Sequence, residues 1–241
     1  MNKELAYIWG VLKGDGCYCM QKSRHGNKIY SYKFVSLTAK DKDFAIYFKK
    51  NLERFLKRKC KIIKTEYWVV YAYHAEIPKI DLNQISNASE KIRCKFIQGF
   101  VDSEGHVGKI YRQRRIEITN TDKNFLIFIS NLFSQLGIEN KIYKLYENHK
   151  KWKDCYRILI YKRESFKLFK EKIGFSIKRK NERLEKILSS YKYNDPLKTY
   201  QEVMRQINLG LPVKEIAMKH SVCTHTISNW RYNRHKPVGL K

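Results

Sequence analysis

Residues 8–16 read Ile-Trp-Gly-Val-Leu-Lys-Gly-Asp-Gly, and residues 97–105 read Ile-Gln-Gly-Phe-Val-Asp-Ser-Glu-Gly. One phrase written twice constrains the fold more than any other feature of the chain. Each copy has an apolar start, a glycine, two apolar residues and then small–acid–glycine. The small residues Gly10 and Gly14, like Gly99 and Ser103, are four apart and share a helix face. Glycine within a helix costs about 0.5–1 kcal/mol against alanine. Small residues on one face let a second helix backbone come very close, a logic best documented in membrane helices. The expectation is a seam in which Gly10 meets Gly99, with Ile8, Val11, Leu12, Ile97, Phe100 and Val101 packed around it.

The repetition continues beyond the phrase, as expected of an internal repeat. Leu37-Thr38-Ala39-Lys40-Asp41-Lys42-Asp43-Phe44 matches Ile118-Thr119-Asn120-Thr121-Asp122-Lys123-Asn124-Phe125. Apolar residues then recur at helical spacing, Phe44, Tyr47, Phe48, Leu52, Phe55 and Leu56 in one copy and Phe125, Phe128, Ile129, Leu132, Phe133 and Leu136 in the other. Asp41 and Asp122 stand where N-caps are expected, and Ser89 is the expected cap of the second phrase's helix. Lys61-Ile62-Ile63 and Lys141-Ile142-Tyr143 follow the helices, with strands expected at 67–73 and 155–161. The first copy holds about eight extra residues in a hairpin around Ser23–Asn27, where Gly26 and Asn27 suit a turn. Its counterpart, near His106-Val107-Gly108, is tighter. Each copy thus reads helix, two strands, helix, two strands, helix, and stretch 76–90 joins them.

Closing the seam would bring Asp15 and Glu104 together. Like charges a few ångströms apart are costly unless a proton or a cation lies between them. Oxygen ligands suit Mg²⁺, and metals flanking a phosphodiester activate water and stabilise the leaving oxygen. The plainer alternative makes both acids last-turn residues, with Gly16 and Gly105 as C′ glycines. An acid at a helix C-terminus opposes the dipole, and two such acids favour chemistry.

Charge points to the same partner. The chain has 50 Lys+Arg against 23 Asp+Glu, net +27 over 241 residues. So large an excess implies a polyanion. A membrane surface would require a basic amphipathic anchor or a long apolar segment, and neither is found. No signal peptide is read, because Met1-Asn2-Lys3-Glu4 runs straight into a patterned helix. Cys17, Cys19, Cys60, Cys94, Cys155 and Cys223 form no zinc pattern and read as reduced thiols. A cytoplasmic location is expected, or an organellar matrix in a eukaryote.

The two phrases resemble the LAGLIDADG homing endonucleases of the single-chain, two-motif, archaeal intron-encoded kind. The likeness covers about residues 4–190 and includes Ile173-Gly174-Phe175 and Lys178-Arg179-Lys180-Asn181-Glu182-Arg183-Leu184. It implies an α+β fold, a pseudo-twofold pair of α-β-β-α-β-β-α repeats whose two antiparallel sheets form a saddle over double-stranded DNA. It further implies hydrolysis of both strands across the minor groove by a monomer without a protein partner, leaving short 3′ overhangs. By position, Asp15 and Glu104 are its metal-binding acids, with the carbonyls of Gly14 and Ser103 as further ligands. The implied cofactor is Mg²⁺, for which Mn²⁺ or Ca²⁺ can substitute. Lys40 and Asn120 fall where the family places polar residues near the cleavage centre. Ala39 and Thr121 depart from its usual Gln and Lys, which implies unequal cutting of the strands. Lys13 replaces the usual acid at the sixth motif place, and Asp102 keeps it.

Major-groove readout by a β-ribbon needs long polar side chains on one face. The candidates are Gln21, Lys22, Arg24, Lys28, Tyr30, Tyr32, Tyr71 and Tyr73 in the first sheet. In the second they are Lys109, Tyr111, Arg112, Gln113, Arg114 and Arg115. Ile116 and Ile118 facing the core would turn Arg115 and Glu117 outward, whereas a bulge would bring Arg112 and Arg114 there. Many of these side chains would meet phosphates rather than bases.

Residues 196–241 lie outside the repeats, after Asp195-Pro196. Helices are expected at about 199–208, at Val213–His220 and at Thr224–Asn233, with Gly210-Leu211-Pro212 as a break and Ser221-Val222-Cys223 as a turn. Val203, Ile207, Ile216, Ala217, Val222, Ile227 and Trp230 supply a core. The segment resembles a helix-turn-helix of the resolvase or homeodomain-like kind. That likeness puts Thr224, His225, Thr226, Ser228, Asn229 and Arg231 on the recognition helix. The expected division is 1–85, 86–195 and 196–241. Two rival readings stand beside the nuclease, a catalytically inactive DNA-binding regulator and an RNA maturase. An intein is disfavoured by the absence of splice-junction residues at the ends.

Overall fold

The computed structural model describes residues 1–26, 28–110, 113–145, 154–191, 196–220 and 222–235. Asn27, Tyr111, Arg112, Asp195 and Ser221 lie outside the described residues, as does the last stretch of the tail. Two compact units divide the chain, residues 1–185 and 186–241.

In chain order the first unit runs α1 (Lys3–Leu12), β1 (Gly16–His25), β2 (Lys28–Ala39), α2 (Lys42–Leu56), β3 (Lys61–Lys64), β4 (Trp68–Tyr73) and α3 (Leu82–Ser86). The pattern then repeats as α4 (Glu90–Glu104), β5 (Gly105–Ile110), β6 (Gln113–Asn120), α5 (Lys123–Gln135), β7 (Lys141–Leu145), β8 (Cys155–Ile160) and α6 (Arg163–Lys172), followed by α7 (Lys178–Ser189), within which the unit boundary falls. Two four-stranded antiparallel sheets result, ordered β1-β2-β4-β3 and β5-β6-β8-β7. Strand order and helix placement are the same in both copies, as the internal repeat leads one to expect.

Each sheet buries one face beneath its helices. Val35, Leu37, Ala39 and Val70 join Phe44, Phe48 and Leu52 of α2 in the first core. In the second copy Ile116, Ile118, Ile158 and Ile160 are fully buried, as are Ile129, Leu132 and Phe133 of α5. Alternating burial of this kind is what a sheet with one covered face requires.

Local cap signals gave way where a distant residue competed. Asp122 caps α5, its Oδ1 accepting from Phe125 N at 3.0 Å. Asp41 holds the N-cap position of α2 without a side-chain cap bond. Its carboxylate instead accepts from Arg179 Nε at 3.2 Å and Nη2 at 2.8 Å. Ser89 likewise begins α4 without a side-chain cap bond. Gly105 has an extended backbone (φ −81°), and Gly16 opens β1, so neither is a left-handed C′ cap. Space accounts for both glycines, since a Cβ would lie 2.4 Å from Val101 O at Gly105 and 2.9 Å from Leu12 Cδ2 at Gly16.

The second unit contains α8 (Pro196–Asn208), α9 (Val213–His220) and α10 (Thr224–Arg231). Val203, Ile216, Val222, Ile227 and Trp230 form its core. Tyr200 packs edge-on to Trp230 with ring centroids 5.4 Å apart. Cys223 opens α10, its Sγ accepting from Thr226 N at 3.3 Å.

Candidate functional site

The seam is built from absent side chains. A Cβ on Gly10 would lie 2.1 Å from Phe96 O, and one on Gly99 would lie 2.2 Å from Tyr7 O. One turn on, a Cβ on Gly14 would lie 2.4 Å from Ser103 Cβ and 3.3 Å from Glu104 Cγ. So α1 and α4 touch backbone to backbone, and the touching ends carry the two acids into one place.

Electrostatics reflects their proximity. Burial, and then the charge of Asp15, pushes Glu104 up to about 7. Burial also raises Asp15, against a lowering by Lys180. The two carboxyls therefore titrate as an interacting pair. The sixth motif place has a different task in each copy. Asp102 is buried and pushed up to about 6 by that burial. It accepts from Tyr7 Oη and from Ser176 N, each at 2.9 Å. Its counterpart Lys13 reaches the other way, with Nζ 5.4 Å from the centroid of the Phe125 ring. Each copy thus sends that residue across the seam.

A cavity of about 400 Å³ opens beside Asp15, lined by Asp41, Asp102, Ser103, Lys40, His106, Arg179, Lys180 and Arg183 among others, while Glu104 does not line it. Lys180 is buried. It donates to Val101 O at 3.1 Å and Asp102 O at 2.5 Å, closing the last turn of α4. Burial lowers its ammonium to about 8. His106 is also lowered, first by burial and then by Arg183. From sequence, stretch 173–184 is only a family likeness, and it assigns Lys180, Arg179 and Arg183 no role. In a chain this rich in lysine, nothing local marks one lysine as buried.

Lys40 reaches the cavity, whereas Asn120 does not line it. Asn120 turns its Oδ1 to Asp122 N at 2.9 Å.

Register settles which strand positions share a face. Gln21 pairs with Tyr32 in β1–β2, and Phe34 pairs with Tyr73 and Ser36 with Tyr71 in β2–β4. Gln21, Lys28, Tyr30, Tyr32, Tyr71 and Tyr73 therefore stand on the face away from the helices. Lys22 and Arg24 take the alternate positions, the face of Val35. In the second sheet Arg115, Glu117 and Thr119 occupy the outward face, because Ile116 and Ile118 are in the core. No bulge interrupts the pairing of 113–118 with β5, so Arg114 shares the parity of Ile116, and Lys109 is its partner. Arg112 lies outside the described residues. Arg157, which pairs with Thr119, and Tyr143 share the outward face and were not among the sequence candidates. Thr224, His225, Thr226, Ser228, Asn229 and Arg231 all lie on α10, with Ile227 and Trp230 turned into the core.

A family model described as a LAGLIDADG-like domain matches residues 91–174. An uncharacterized protein of Methanocaldococcus jannaschii is 31% identical over 210 residues, which cover 78% of this chain and 73% of that protein. The chain belongs to the LAGLIDADG family. Its LAGLIDADG architecture is also that of solved structures. The homing endonuclease I-DmoI, in mesophilic variants, superposes with a TM-score of 0.55 at 23% identity over 71% of this chain and 95% of that one. The homing endonuclease I-LtrWI bound to target DNA gives 0.53 at 10% identity over 79% and 91%. A probable translation initiation factor IF-2 of M. jannaschii is 28% identical across 90% of this chain, which spans 19% of that protein's length. Among the described residues, no helix is long and apolar enough to cross a membrane.

Proposed function

We propose that this protein is a monomeric, site-specific endonuclease that hydrolyses both strands of a long double-stranded DNA target with divalent metal. The observation that carries the reading is the seam. Two acids from two copies meet where backbones touch, and one of them, Asp15, lines a cavity shared with Lys40, Arg179, Lys180 and Arg183. The neighbouring I-DmoI structures are complexes with DNA and Mn or Ca.

The residues fit a hard divalent cation. Asp15 and Glu104 offer carboxylate oxygens, and Gly14 and Ser103 stand beside them with backbone carbonyls. A cation would offset both the burial and the Asp15 charge that push Glu104 up to about 7. When bound, the metal supplies polarisation of the phosphoryl group and of the attacking water. The chain's own residues do the rest. Lys40 brings positive charge to one phosphate from the end of β2. Lys180 fixes the turn that presents Ser103 and Glu104. Asn120 is occupied within its own turn, so the two strands have unequal help and are cut at unequal rates.

The recurrence of the matched sequence supports a mobile element. It makes up 19% of an initiation factor and 12% of a glutamine–fructose-6-phosphate aminotransferase, proteins with unrelated names. The decisive experiment incubates the protein and Mg²⁺ with plasmid carrying the intron-free insertion site of its own gene. Cleavage that Asp15→Asn and Glu104→Gln abolish is expected. Failure to cut with any divalent metal would falsify the nuclease reading, and rescue of intron splicing would move it to the maturase.

A further inference from the structure

The two outward sheet faces are chemically unlike. On the first, Tyr32, Phe34, Tyr71 and Tyr73 make a continuous aromatic patch, an aromatic plate only in the sense that its tilted and edge-on rings cover one area of the sheet. Ring centroids lie 5.5 Å apart for Tyr32–Tyr73, 5.3 Å for Phe34–Tyr73 and 5.5 Å for Tyr71–Tyr73. The rings brace one another, and Tyr73 remains 40% exposed. Among the described residues of this face there is no arginine. Its lysines stand at the margins, Lys28 at the hairpin end of β2 and Lys61 on the edge strand β3.

The second face centres on an ionic cluster. Arg157 Nη1 lies 3.4 Å from Glu117 Oε1, and Arg115 Nη2 lies 2.7 Å from Glu117 Oε2. The Arg115 side chain is 10% exposed, so it backs Glu117. That of Arg157 is 26% exposed, and its guanidinium sits between one contact to Glu117 and the Tyr143 ring, 5.9 Å from the ring centroid.

Base edges answer these surfaces differently. Guanine presents two acceptors that a guanidinium meets bidentately, whereas thymine presents a methyl group. A tyrosine or phenylalanine ring covers a methyl well and cannot make the bidentate contact. An exposed aromatic plate also gains by being covered with apolar surface, and in the major groove that surface is the thymine methyl.

We infer that the two halves of the DNA target differ in composition, thymine-rich under the aromatic plate of the first sheet and carrying a guanine read by Arg157 under the second. The inference rests on the DNA endonuclease reading and deepens it. It makes Tyr32, Tyr73 and Arg157 determinants of specificity, with Glu117 positioning Arg157.

The test uses the full chain and a randomised duplex DNA library, with bound molecules sequenced. Wild type selects a site with thymine concentrated in one half and guanine at a fixed place in the other. Paired Tyr32→Ser and Tyr73→Ser lowers the thymine preference roughly tenfold in that half alone. Paired Tyr32→Phe and Tyr73→Phe retains it, whatever happens to overall rate, and keeps the idea falsifiable if the serine pair does not fold. Arg157→Gln loses the guanine in the opposite half. A selected site with halves of equal composition, or a thymine preference that the phenylalanine pair loses, overturns the inference and leaves the nuclease reading intact. Selection of no duplex at all overturns both.

Discussion

Glu104 is a strained residue within its own fold. Its folded pKa of about 7 stands above the ordinary 4.5 because of burial and then Asp15. Between those values the folded protein holds a proton that the unfolded chain has released. Stability from that proton is present below about pH 4.5 and is lost as pH rises through 7. In chelator, Glu104→Gln should therefore melt a few degrees above wild type at pH 8, with the difference gone near pH 4.5. Equal melting temperatures at pH 8 would count against the burial of Glu104 and its crowding by Asp15. The same variant should cut no DNA, a case of function kept at a cost in stability. The acids were legible in the sequence because each ends a repeated phrase. The burial of Lys180 was not, because it depends on carbonyls roughly 80 residues away in the chain.

The elements are held by two devices of unequal strength. At the seam, Gly10→Ala would place a methyl 2.1 Å from Phe96 O. The neighbour is backbone and cannot swing aside, so the helices must part. Overpacking of this kind costs about 1–3 kcal/mol or more, and cleavage should fail as the acids separate. Denaturant melts and a cleavage assay check both. The second device is the segment leading into the first turn of α7, which reaches from the second copy to the first. Ile177 is buried in the first copy's core, and Arg179 pairs with Asp41. Ile177→Ala should cost about 2–5 kcal/mol. Arg179→Ala, on a half-exposed pair, should cost at most about 1 kcal/mol. The reverse order in urea melts would show that the clasp is ionic. Gly10 against Gly99 could be read from the sequence, since a missing side chain at helical spacing states its own reason. The bond of Asp41 to Arg179 could not, because a local cap signal says nothing of a distant competitor. Strand faces were legible at Ile116 and Ile118 and not at Lys22 or Arg24, whose placement depends on the register set by the hairpin.

For the protein as a whole, the proposed DNA partner answers the net charge of +27. DNA affinity should fall steeply with salt, by orders of magnitude between 50 and 200 mM if about six to ten phosphates are neutralised. A chain ending at residue 195, without α8–α10, should bind its site more weakly and with a shallower salt slope, yet still cleave when bound. Unchanged affinity would refute a DNA-binding role for the three-helix unit. The pseudo-twofold plan was readable because it is written twice. Its asymmetry was readable only in part, since the aromatic and ionic faces emerge after the strands are paired.

If the seam works as proposed, Asp15 and Glu104 together hold the metal that cleavage requires. Calorimetry of Mn²⁺ titrated into the full-length protein on its selected duplex decides the matter. Wild type should bind Mn²⁺, and Asp15→Asn and Glu104→Gln should each lose at least one site while retaining the duplex. Undiminished Mn²⁺ binding by both variants would contradict a shared metal site at the seam.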